Sequence, residues 1–241
     1  MTMTRVTAWL VLVLLVSNQA FAQDTTEEAL LASYWQALKS DQAIDRLGAV
    51  TGLSEASAHG EARSSRAVAL AIAAALQDSD DQVAYAAICA LEQGRHAAVT
   101  VNALAAYLEG DGERIRDLVT SGRGPEVFEL LRWPMQNYSR ACEGLASYRR
   151  PEGVVALAHE LRQFEEEIQV RQLFFKCEEA LVDALIRHGN QSAIDAVIQH
   201  LKSYYLESHR DWLVRIHIKL RTFSDTLGVD PVGFPRNIAQ A

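Results

Sequence analysis

The histidines and cysteines are the side chains of this sequence best suited to metal or nucleophile chemistry. His159-Glu160 begins a His-Glu pair, but residue 163 is Gln and residue 164 is Phe. A zinc-protease helix needs a second His four residues after the first, so that both rings face one ion. His188, His200, His209 and His217 gather late in the chain. Two of them brought together across neighbouring helices, with Asp211, would make a metal site. No two share a helix at a three- or four-residue step, and ligand spacing is what defines such a site. They are expected to be scattered surface histidines.

Nucleophilic chemistry finds no better footing. Ser64, Ser65 and Ser121 fall at predicted helix starts or in loops, where capping accounts for them. The sequence has no Gly-x-Ser-x-Gly elbow, and Gly122-Arg123-Gly124-Pro125 lacks the spacing and preceding strand of a phosphate loop. The run Glu165-Glu166-Glu167 lacks the alternating oxygen donors and turn glycine of a calcium loop, and is read as a solvated turn. Cys89, Cys142 and Cys177 are too few and too widely spaced for a disulfide framework. Cys89 reads as a small buried residue, while pairing of Cys142 with Cys177 stays open. No catalytic residue, cofactor site or metal ligand is assigned, and the chain is read as a non-enzyme.

The elements that carry these residues follow from composition and periodicity. Arg5, an apolar run from Ala8 to Val16 and the exit Ala20-Phe21-Ala22 have the layout of a secretory signal peptide over residues 1–22. The run is shorter than the roughly 20 residues a bilayer span needs. The chain is therefore expected to be exported, periplasmic or secreted, without membrane insertion of the mature part. Removing residues 1–22, whose only charge is Arg5, takes the net charge from −8 to −9. Such acidity argues against nucleic acid as a partner.

From Thr26 onward apolar residues recur at three- and four-residue steps, as amphipathic helices require. Ala67, Leu70, Ala71, Ala74 and Ala75 form one predicted stripe; Val154, Leu157, Ala158 and Leu161 form another. Helix pairs are predicted at 26–39 and 41–56, 64–77 and 80–93, 96–109 and 125–149, 151–164 and 168–188, and 190–204 and 208–226. Pro134 should kink or split the second helix of the third pair. Val83, Val127, Val170 and Val214 lie 44, 43 and 44 residues apart, each near the start of a second helix. A two-helix repeat of about 40 to 47 residues is the signature of an α-solenoid.

The stretch from Asp78-Ser79-Asp80-Asp81 through Val83, Ala87 and Leu91 resembles the second helix of a bacterial HEAT-like repeat. Val170-Arg171 and Val214-Arg215 carry the family's Val-Arg dipeptide, and Arg46-Leu47-Gly48-Ala49 with Leu53 repeats its spacing. Ala84 and Phe128 depart from it. The tail Leu227-Gly228-Val229-Asp230-Pro231 resembles the close of some exported HEAT-like proteins. The resemblance implies an all-α fold, a right-handed α-α superhelix of about five pairs over residues 23–226 with a tail at 227–241. It also implies scaffold or adaptor work.

On that architecture the expected activity is capture of a protein or peptide partner on the stacked helices, without catalysis or cofactor. Tyr85, Trp133, Arg171 and Arg215 are the anchor types that dominate interfaces. The segment from Gly110 to Gly124, carrying Ile115 and Leu118, is longer than an ordinary turn; it reads as an irregular extra half-helix packed on the third pair or as a contact site, for which it is the best local candidate. Basic Arg210, Lys219 and Arg221 beside Arg215 fit a polar end cap. A structural subunit of a homo-oligomeric exported assembly is the alternative, and a metal-dependent enzyme using the late histidines the third reading.

Overall fold

The computed structural model describes residues 31–59, 62–121, 126–166 and 171–204. Among them the chain is all-helical. Residues 31–37 are helical (α1). They are followed by α2 (Ala43–His59), α3 (Ala62–Ala74), which runs into a 3-10 turn at Ala75–Gln77, and α4 (Asp81–Gln93). Then come α5 (Ala97–Ser121), α6 (Glu126–Tyr148), α7 (Pro151–Glu166), α8 (Arg171–His188) and α9 (Gln191–Tyr204). The predicted signal peptide, the last predicted helix at 208–226 and the tail lie outside the described residues.

The boundaries have local causes. Asp80 caps α4, its carboxylate accepting from the backbone N–H of Gln82 and Val83 in the first turn. The acidic turn of the repeat motif is thus a helix start. Asn190 does the same for α9, accepting from Ala193 N at 2.8 Å. Gly189 follows α8 at φ 73°, a left-handed conformation natural to glycine at a helix end. Pro151 opens α7, where its missing N–H costs nothing.

The helices sort into two sets. The even ones pack in series, α2 on α4, α4 on α6 and α6 on α8. The odd ones do likewise, α3 on α5, α5 on α7 and α7 on α9. Helices consecutive in the chain pack across the two sets, and one apolar core runs between them from Val50 and Leu53 to Ala193 and Val197. Polar ties bridge successive pairs: Arg46 clasps Asp78 through Nε and Nη2 at 2.6 and 2.8 Å, and the Tyr148 hydroxyl meets the carbonyls of Leu91 and Gly94 at 2.8 and 2.9 Å.

Several sequence expectations change here. The predicted break after residue 109 is absent, because α5 continues to Ser121. Gly110 and Gly112 each disfavour a helix by about 1 kcal/mol. The buried stripe Val101, Leu104, Leu108, Ile115 and Val119 outweighs them through tertiary packing. Pro134 does not split α6, which runs unbroken from Glu126 to Tyr148. In α3 the buried stripe is Val68, Ala71, Ile72 and Leu76, whereas Ala67, Leu70 and Ala74 face solvent. The period was read correctly and its phase was not, since an alanine-rich helix offers two faces of similar hydropathy. The stripe Val154, Leu157 and Leu161 in α7 is buried as expected. Cys89 is half-exposed rather than buried.

Candidate functional site

Tyr85 on α4 and Trp133 on α6 meet edge-to-face, with ring centroids 6.1 Å apart and planes at 67°. Such a pair adds about 0.5–1.5 kcal/mol beyond the area it buries. Each ring is only half-buried, and Leu130, one helical turn before Trp133, is 60% exposed. Three large apolar side chains thus share one outward patch of the even-numbered helices.

Between α6 and α8 lies an open groove of about 310 Å³. Ser139 and Glu143 line it from α6; Lys176, Glu179, Asp183 and Arg187 line it from α8. Their spacing of three or four residues puts the α8 charges on one helical face. Arg140 ties Glu143 at 2.8 Å and also pairs with Glu92 of α4. The lining offers both charge signs, hydroxyl and carboxylate acceptors and an apolar floor at Ala180 and Ala184. It suits a polar chain segment better than an apolar ligand.

Beneath this surface the core carries ionisable groups. Glu160 of α7 is 2% exposed; its Oε2 accepts from the Tyr138 hydroxyl at 3.2 Å and from Arg116 Nη1 at 3.3 Å, while Oε1 has no protein partner. Burial raises its pKa, against the opposing pull of Arg116. Gly112 makes room for this carboxylate, which a Cβ at that position would strike. Burial also pushes the Cys142 thiol well up and the Cys177 thiol to about 12. His200 Nε2 lies 2.7 Å from Glu178 Oε1, and His188 Nε2 lies 3.0 Å from the carbonyl of Arg150.

Compared with protein-family models, curated proteins and solved structures, the chain matches none. The site therefore rests on its own geometry.

Of the expected contact residues, the structure brings together Tyr85 and Trp133. Ile115 is corrected as a contact residue: it is fully buried, because the segment continues α5 as regular helix and Ile115 lies on its core stripe. Leu118 is half-buried against that core. Arg171 opens α8, with its side chain outside what is described, and Arg215 lies outside the described residues altogether. The surface reading of His188 and His200 is likewise corrected: they are 5% and 1% exposed, each held by a polar partner. His209 and His217 lie outside the described residues. No group of three or more His, Cys, Asp or Glu among the described residues is placed to hold a metal ion. Cys142 and Cys177 are both free and buried, on the neighbouring helices α6 and α8. Leu130 and the charged lining of α8 were missed. Their signal is present in the sequence, as an apolar residue one turn from Trp133 and as a charge stripe at 176, 179, 183 and 187.

Proposed function

We propose that this chain is an exported, HEAT-like α-solenoid adaptor that holds a protein or peptide partner on the face of α4, α6 and α8, without catalysis of its own. The observation that carries the reading is the half-exposed Tyr85–Trp133 pair, with exposed Leu130 one turn before Trp133; the polar groove shares α6 with them. Aromatic anchors next to a polar, hydrogen-bonding rim are the composition of an interface hot spot. Apolar groups left facing solvent in a cluster mark interaction surfaces.

The serial packing of even helices on even and odd on odd, with ties such as Arg46–Asp78 between successive pairs, supports the solenoid reading. Stacked pairs of this kind present extended faces whose recognition needs no catalytic residue. The signal-like start at residues 1–22 supports export.

The test is capture from the host after mild cross-linking, comparing the natural chain with Tyr85→Ala/Trp133→Ala and with Val155→Ser on α7. A partner recovered with the natural chain and Val155→Ser should bind the double variant about 30-fold more weakly, the equivalent of one strong hot spot at ~2 kcal/mol. Joint charge reversal of Arg171 and Arg215 should weaken capture further. Equal capture by all variants would remove the face from consideration.

A further inference from the structure

Asp111 occupies an unusual place for a carboxylate. It sits in the interior of α5 and is 5% exposed. The Tyr107 hydroxyl, one turn earlier, donates to it, and Tyr107 in turn accepts from Asn137 of α6. Asn137 also donates to the carbonyl of Asp81 at 2.9 Å. Two acceptors remain without a protein donor: Asp111 Oδ2 and Asn137 Oδ1, the latter on a residue that is fully buried.

The nearest cation does not compensate. Arg114 gives its guanidinium to Asp81, at 2.7 and 3.3 Å, and its Nη1 stays 3.8 Å from Asp111 Oδ1. The remaining ionisable neighbours add no positive charge: Asp81 on α4 and the Cys177 thiol on α8. On α7, across Gly112, Glu160 pairs with the guanidinium of Arg116. A charge at Asp111 is therefore desolvated and weakly paired, while a proton on Oδ2 would add the hydrogen-bond donor this pocket lacks.

We infer that Asp111 is a proton-operated latch between α5 and α6, closed when its carboxyl is neutral and loosened when it ionises. Burial, opposed by Arg114 and Tyr107, raises its pKa to about 7, against an ordinary value of ~3.9. The folded state thus holds this proton more tightly than the unfolded chain does. The stability it confers is complete below about pH 4 and declines as pH rises towards about 7. That direction is opposite to the acid lability of carboxylates held in ion pairs.

Two measurements test this on the full chain. Urea unfolding of the natural chain and of Asp111→Asn, which cannot ionise, is followed from pH 4.5 to 7.5. Each further pH unit should shift the ratio of their unfolding constants by up to tenfold in favour of the variant. A ratio that does not change with pH would overturn the latch. The carboxyl carbon of Asp111, followed by carbon-13 NMR in the natural chain, should titrate with a midpoint above 6. A midpoint near 4 would overturn it independently, even if the variant fails to fold.

Discussion

The segments from α2 to α4 and from α5 to α9 use similar helices to build two different interiors. In the first, the buried side chains are apolar: Val50, Leu53, Ile72, Ile88 and Leu91 interleave with Ala71, Ala84 and Ala87. In the second, Thr100, Asp111, Asn137, Glu160, Glu178, His188 and His200 are all buried. An apolar interface tolerates small slips, because dispersion contacts have little direction. A buried polar pair does not, since a displaced partner leaves a desolvated group unsatisfied. The first segment is thus held by shape and the second by shape plus register.

Thiol reactivity should sharpen this contrast most. Cys89 belongs to the apolar segment and is half-exposed; Cys142 and Cys177 lie in the polar one and are buried. With the Cys177 thiol pushed up to about 12, its thiolate fraction at pH 8 falls about three orders of magnitude below that of an ordinary cysteine. Iodoacetamide labelling read by mass spectrometry should therefore mark Cys89 first, and Cys177 only on unfolding. Uniform labelling of all three in the folded chain would erase the distinction.

Next in size is a cavity in the apolar segment. Ile88 is fully buried in α4, and Ile88→Ala should lower stability by about 3 kcal/mol in urea denaturation. A loss below about 1 kcal/mol would show that the helices close over the cavity. Tyr138→Phe probes the polar segment without changing its volume much. Losing the donor to Glu160 should cost about 1–2 kcal/mol, and no loss would mean that the hydroxyl is immaterial there. Smallest is Asp80→Ala, which removes the cap of α4 and should cost about 1 kcal/mol, read as a lower midpoint with unchanged urea slope.

The contrast also explains what was legible in the sequence. Periodicity alone locates the helices from α2 to α4 and from α6 to α9 to within a few residues, because burial of one face is a local and repeated signal. It fails at Gly110-Asp111-Gly112, where two glycines and a charge read as a break. Helix continues there because the buried stripe Leu104, Leu108, Ile115 and Val119 packs against α6 and α7, which lie further along the chain. The burial of His188 and His200 is hidden for the same reason: Arg150, in the turn before α7, and Glu178 of α8 complete them from elsewhere in the chain. At the candidate face, Tyr85 and Trp133 stand out by residue type. The groove does not, since it exists only once α6 and α8 lie side by side.

Gly112 and Glu160 also bear on how this sequence can drift. The space that one leaves empty is filled by the other, and the Glu160 carboxylate in turn receives Tyr138 and Arg116. A side chain gained at 112 obliges the carboxylate at 160 to move or shorten, and that displacement disturbs its bonds to a buried hydroxyl and a guanidinium. Substitution at 112 therefore carries consequences for 116, 138 and 160, so descendants of this chain that gain a side chain there would favour a shorter residue at 160.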